Sequence, residues 1–211
     1  MLVLTALGGL LNSSATAWAQ TSPARAFDKM QLVEIGNGPN TVDIEGNGQD
    51  GLVFQAHREN YNAHSFEHTT FYRREKSDPP ANVSTPSAKS TWDLVPFFSP
   101  GDGGKEMDAF DTVQGADCRL RDLVVLRPHS AKHSPLIVIV AERDFGETYV
   151  DEKQVTFSVY KIKRNDDSSP GEPAVYFQRV DQFRSKKSYC DADDAIRSEL
   201  KVKLPKSPDG E

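Results

Sequence analysis

From Met30 onward, runs of β-branched and aromatic residues alternate with turn chemistry, and apolar positions recur with the two-residue period of strands. The pattern predicts strands at 30–35, 41–44, 52–58, 64–73, 91–98, 121–127, 136–143, 155–164 and 174–183. GNGPN, EGNGQDG, KSDPPANVSTPSAKS, SPGDGG and NDDSSPGEP separate them, all rich in turn formers. Val155, Phe157 and Val159 alternate with Thr156, Ser158 and Tyr160, as in a half-buried strand. Residues 136–141, LIVIVA, are apolar at every position, which predicts a central strand covered on both faces. One helix is predicted near the C-terminus. Asp191 suits its N-cap, Asp193 and Asp194 suit the positive end of its dipole, and Ile196, Leu200 and Leu204 fall on one face. The expected fold is mainly β: a β-sandwich of about nine strands with a C-terminal α-helix.

The chain has 211 residues, enough for one domain with a substantial core, and a net charge of −6. No basic excess marks a nucleic-acid partner or an anionic membrane surface. The first residues differ from the rest. MLVLTALGGLL is apolar and uncharged, and Ala17-Trp18-Ala19 forms a small-x-small site after it. This reads as a signal peptide at 1–19, cleaved after Ala19, although no basic residue precedes it. The apolar run is too short to span a bilayer, and no later stretch is long enough. The expected organisation is a signal at 1–19, a single β-rich domain at 20–204, a flexible tail at 205–211, and a periplasmic or secreted location. Residues 76–90 read as a long loop. Cys118 and Cys190 are the only cysteines and lack metal-ligand spacing. In an oxidising compartment they form one disulfide; otherwise they are two buried thiols.

Candidate catalytic sets are sparse. His64 and His68, and again His129 and His133, stand four apart, the spacing at which a helix could present two zinc ligands. Thr69, Thr70, Phe71 and Tyr72 favour a strand around the first pair. Four residues of strand cover roughly 13 Å, too far for one ion to reach both imidazoles. Ser158-Val159-Tyr160-Lys161 fits S-x-x-K, yet on a strand residues three apart point to opposite faces. No nucleophile elbow or phosphate-binding loop occurs, so neither an enzyme nor a cofactor is expected. Polar and aromatic residues instead crowd His57–His64 and Gln114–Cys118, between strands where recognition loops sit.

Five stretches in register, FQAHRENYNAHSFEHTTFY, WDLVPFF, QGADCRLRDLVVLR, ERDFGETYVDEKQVTFSVYKIKRN and YCDADDA, resemble the CarG-type carbapenem intrinsic-resistance proteins. The resemblance implies an exported protein that protects a bacterium against a carbapenem without serine or zinc β-lactamase machinery. It also places Cys118 and Cys190 in matching stretches, which supports their pairing. The partner implied is the drug itself or a cell-wall target protein. For direct capture, Arg58, Asn60, Asn62 and His64 are the expected ligand-binding residues, since a carbapenem carries a carboxylate and carbonyl groups. The alternatives are a metal-dependent envelope hydrolase using His57, His64 or His68 with Asp117, and an exported adaptor unrelated to antibiotics.

VDIEGNGQDGLVF places Asp43, Glu45 and Asn47 at the alternate positions of a calcium loop. The resembling pattern is D-x-D-G-D-G-x-x-D. Here Glu45 and Asn47 replace two aspartates, Gly51 stands where the last belongs, and Phe54 occupies the position of the bidentate glutamate. A tight turn is therefore expected rather than a working metal site.

Overall fold

The LIVIVA run becomes the middle of a large sheet whose two faces are both covered. The structure, a computed structural model, describes residues 27, 29–62, 64–75, 91–99, 103–114, 117–129 and 133–205. The expected signal segment 1–19, the 76–90 loop and tail residues 206–211 lie outside the described residues. The strands are β1 (Met30–Leu32), β2 (Gly38–Val42), β3 (Gly51–Arg58), β4 (Phe66–Glu75), β5 (Thr91–Leu94), β6 (Phe97–Ser99) and β7 (Lys105–Met107). They continue with β8 (Phe110–Asp111), β9 (Val113–Gln114), β10 (Arg119–Pro128), β11 (Ile137–Arg143), β12 (Lys153–Arg164) and β13 (Val175–Tyr189). Helix α1 (Ala192–Ala195) runs directly into a π-helical turn, Ile196–Leu200.

Two sheets pack together. The larger has the order β1-β10-β11-β12-β13-β6-β7, with β9 also on β10; the smaller is β2-β3-β4-β5, with β8 on β4. Neighbouring strands are antiparallel except β13 and β6, which run parallel and meet at Phe177 and Phe97. Strand alternation sends the large sheet's side chains into two cores. Val125, Val138, Val140, Tyr160 and Phe177 face the small sheet, where Ile44, Val53 and Phe71 meet them. Val124, Ile139, Ala141, Phe157 and Val159 face the other way, onto Ala192, Ala195, Ile196 and Leu200. The result is a sandwich backed by a short helix, with β11 buried on both sides as its composition requires. Among the described residues no helix is long and apolar enough to cross a membrane.

Several boundaries differ from the sequence reading for physical reasons. GNGPN is only partly a turn, because Gly38, Pro39 and Asn40 begin β2. That strand is the edge of its sheet, where proline's missing donor is tolerated. The predicted strand 91–98 divides between the two sheets. Val95 still donates to Phe71 O (2.8 Å), while Pro96 O accepts from Phe177 N (2.8 Å), so the chain changes sheets at this proline. The last hairpin is longer than predicted, because β13 continues through polar residues to Tyr189. Its partner β12 carries it as a ladder with two register shifts. The helix is shorter than predicted. Asp191 caps it as expected, accepting from Asp193 N (2.7 Å), but it ends at Leu200, where Lys201 turns left-handed (φ 60°). Val202 and Pro205 then favour extended chain, which carries Leu204 to the same core without helical spacing.

Candidate functional site

His57, His64, His68 and His133 each have a different hydrogen-bonding partner. Strands β3 and β4 are extended through this region, with Ala56 opposite His68 and His57 opposite Glu67. His57 Nδ1 lies 2.9 Å from Glu67 Oε1 and its Nε2 lies 3.7 Å from Glu59 Oε2. The Glu67 hydrogen bond holds this imidazole above its ordinary pKa. His68 Nδ1 lies 2.6 Å from Asp111 Oδ1, and His64 Nδ1 lies 3.2 Å from the Gln114 carbonyl oxygen. Asp117 lies outside these pairs. Among the described residues no three His, Cys, Asp or Glu side chains converge as a metal-holding group. Ser158 is bonded to Gln182 Nε2 (3.0 Å) on strand β12, where Lys161 faces the other way.

The loop 43–50 is organised by its own oxygens. Asp43 accepts from Asn47 N (3.1 Å) and Gly48 N (2.8 Å), and Asn47 Oδ1 accepts from Gln49 N (2.9 Å). His133 Nδ1 approaches Asp43 at 3.5 Å, and Glu45 forms an ion pair with Arg164. Gly46 has φ +69°, and a Cβ there would lie 2.3 Å from the Ser134 carbonyl carbon, so the turn needs glycine at this place.

The remaining predicted residues form one end of the sandwich. Asn60 Nδ2 donates to His64 O (2.7 Å) and His64 N donates to Asn62 Oδ1 (2.8 Å), so both amides tie down the β3–β4 turn. Arg58 lies over the Phe66 ring at 5.2 Å. The turn holds Tyr61 left-handed (φ 54°) and almost wholly exposed, at 96%. His64 in turn meets an element that sequence reasoning left out of the site, the β11–β12 loop. Its ring centroid is 5.0 Å from Tyr149, which is 5.2 Å from Phe145 in an edge-on contact. Phe145 and Tyr149 are 59% and 41% exposed, and Val150 beside them is half exposed.

This loop is built rather than slack. Asp151 accepts from Glu147 N (2.7 Å), Thr148 N (3.2 Å) and the Thr148 hydroxyl (2.7 Å), bonds that hold its carboxyl below the usual value. A Cβ on Gly146 would lie 2.4 Å from Asp151 Oδ2, so glycine lets the turn close over the carboxylate. The signal available in the sequence was FGETYVD itself: turn formers around two aromatics with no apolar alternation to bury them.

A second polar cluster lies where Cys118 and Cys190 form a disulfide. Arg119 Nη1 is 2.9 Å from Asp122 and 3.5 Å from Asp193, beside a cavity of about 280 Å³ that includes Leu32, Leu123 and Leu204 in its lining. Burial and a hydrogen bond with Asp122 push the Asp193 carboxyl up to about 8, against the pull of Arg119 and Arg197. The folded protein thus keeps a proton that the unfolded chain releases near its ordinary value of 3.8. Between those values the folded state binds more protons, so this group's contribution to stability falls as pH rises. Asn in place of Asp193 keeps a donor for Asp122 and removes the titration. Urea unfolding at pH 5 and pH 9 should show Asp193→Asn gaining on the parent at the higher pH, by at most about 4 kcal/mol, or about 1.4 kcal/mol for each pH unit from 5 to 8. Parallel pH profiles for the two proteins would contradict this.

No family model matches the chain, and no curated protein matches it. Among solved structures it is similar to the crystal structure of CarG, with a TM-score of 0.62 and 19% identity over 82% of this chain and 99% of that one. The fold is therefore CarG-like.

Proposed function

We propose that this chain is an exported CarG-type protein that protects a bacterium against a carbapenem without hydrolysing it, by covering a cell-wall target protein. The exposed aromatic run Tyr61, His64, Tyr149 and Phe145 carries the contact part of this reading. Rigid aromatics on an ordered loop are what protein interfaces use as anchors, because they bury much area for little conformational entropy. Asn60 and Asn62 already use amide groups within their turn, which favours a protein partner over capture of the drug by those residues. The resistance part is supported by the five resembling stretches together with the CarG-like fold. Export is supported by the N-terminal apolar segment and by the disulfide, which suits an oxidising compartment.

Expression in a carbapenem-sensitive host should raise the inhibitory concentration, while purified protein should leave the drug's absorbance unchanged. Truncating both anchors, Phe145→Ala with Tyr149→Ala, should abolish most of the protection at equal abundance, each anchor costing about 2 kcal/mol of contact energy. Folded, exported protein that confers no protection would overturn the resistance reading. Drug consumption over many turnovers would overturn the non-hydrolytic one.

A further inference from the structure

The outer face of the small sheet is apolar where water should meet it. Val53 and Phe71 point into the sandwich and are fully buried. Strand alternation therefore turns Leu52, Phe54, Thr70 and Tyr72 to the opposite face. Leu94 lies opposite Tyr72 and Trp92 opposite Arg74, which adds both to that face. None of these apolar residues belongs to either hydrophobic core, and Phe54 and Trp92 are 40% and 47% exposed. An antiparallel sheet with one face packed ordinarily presents polar side chains on the other. The register also sets the aromatics in a line. Tyr72 is one strand over and two residues along from Trp92, and Phe54 stands in the same relation to Tyr72. Each step is a cross-strand diagonal of roughly 7–8 Å, so the three rings form a straight row across β5, β4 and β3. The charges on the face nearly cancel. Arg58 and Arg74 are set against Asp111, which His68 holds at 2.6 Å, and Asp50, which lines one small hollow with Arg74.

We propose that this face binds an uncharged glycan chain, successive sugar rings laying their C–H faces on Trp92, Tyr72 and Phe54. A sugar ring offers a hydrocarbon face that leaves water to meet the negative face of an aromatic ring, while its hydroxyls stay at the edges. Leu52 and Leu94 flank Tyr72 directly and extend the apolar floor. Arg74, opposite Trp92, and Thr41, opposite Leu52, put exposed hydrogen-bonding groups beside the row for those hydroxyls. Charge selects the same partner. A near-neutral face on a chain of net charge −6 is no complement to an anionic membrane or to nucleic acid, both of which need a basic excess. A folded protein partner is gripped by a central cluster with a polar surround, whereas a line of rings matches a linear polymer. The site stands on its own geometry and does not depend on the resistance reading.

The test uses the folded, disulfide-bonded protein with cellotetraose and N-acetylchitotetraose as uncharged probes, and glucose and phosphatidylglycerol vesicles for comparison. At least one tetrasaccharide should give saturable NMR shifts at the Trp92 indole N–H and the Tyr72 and Phe54 amides, at concentrations up to roughly 10 mM. Glucose, which covers one ring at a time, should bind at least about tenfold more weakly. Trp92→Ala and Phe54→Ala, both at exposed side chains, should each weaken the tetrasaccharide about tenfold, the loss of one stacking contact. Trp92→Phe should keep most of the binding, and Phe145→Ala, in the β11–β12 loop, should leave it unchanged. The proposal is overturned by no saturable shift with either tetrasaccharide, by binding that survives both Trp92→Ala and Phe54→Ala, or by protein that pellets with the vesicles through Trp92.

Discussion

Replacing both Cys118 and Cys190 with alanine should lower the unfolding free energy by about 4 kcal/mol. The bond joins residues 72 apart, with Cα atoms 5.6 Å from each other, so it closes a loop that contains β10, β11, β12 and β13. Cutting it returns that loop's freedom to the unfolded chain, which is where most of the expected loss lies. A smaller part comes from the folded side, since Cys118 is itself buried next to α1. Cys190 directly precedes the Asp191 cap, and Arg119 N donates to Asp191 Oδ2 (3.1 Å), so the covalent link and the cap hold the helix against β10 together. Urea denaturation of the double variant measures the effect, and amide exchange should show α1 and the π-turn opening first. A loss below roughly 1 kcal/mol would mean that the loop is already constrained in the unfolded state.

Phe177→Ala should cost about 4 kcal/mol, and Phe177→Leu no more than about 1.5 kcal/mol. Phe177 is fully buried, and its ring centroid is 5.0 Å from those of both Phe71 and Phe97. It therefore links the small sheet, which supplies Phe71, to the large one. It also sits at the parallel pairing of β13 with β6, where its backbone N–H donates to Pro96 O. An alanine leaves an aromatic-sized hole that the two flanking phenylalanine rings cannot close, while leucine fills most of it. Typical domains are stable by only 5–15 kcal/mol, so the alanine variant combined with loss of the disulfide should not fold. Denaturation midpoints of the two variants give the comparison; an alanine cost under about 1 kcal/mol would show that the sheets are held together elsewhere.

What the sequence made legible follows from periodicity. The all-apolar stretch 136–141 could only be a strand covered twice, and it is. The alternation at 155–160 placed Val155, Phe157 and Val159 on one face, where they pack under the helix. Strands β7, β8 and β9 were illegible because KEM, FD and VQ, at two or three residues each, are too short to show an alternation. Pro96 looked like a residue inside one strand, whereas the chain crosses between sheets there, a choice made by tertiary packing. The polar turn of the candidate site was visible as Asn60, Asn62 and His64. Its aromatic half was carried only by the turn formers of FGETYVD, a weak signal because Phe145 and Tyr149 are residue types that usually fill a core. The burial of Arg143 was hidden for the opposite reason: a charged residue at the end of a strand reads as solvated, and here it is enclosed.

The order of the large sheet also sets a timetable for the growing polypeptide. Strand β1 pairs with β10, and Met30 meets Pro128 about a hundred residues later in synthesis; β6 waits similarly for β13. At ordinary elongation rates that delay is roughly 5–20 s, long compared with hairpin formation. The meander β10–β13 can assemble from its own neighbours once made, and β2–β5 can pair among themselves, but β1 leaves the ribosome without its mate and β6 with only β7. During that interval those unpaired edges are open to chaperones and proteases, and the last hairpin to be translated decides when the large sheet closes.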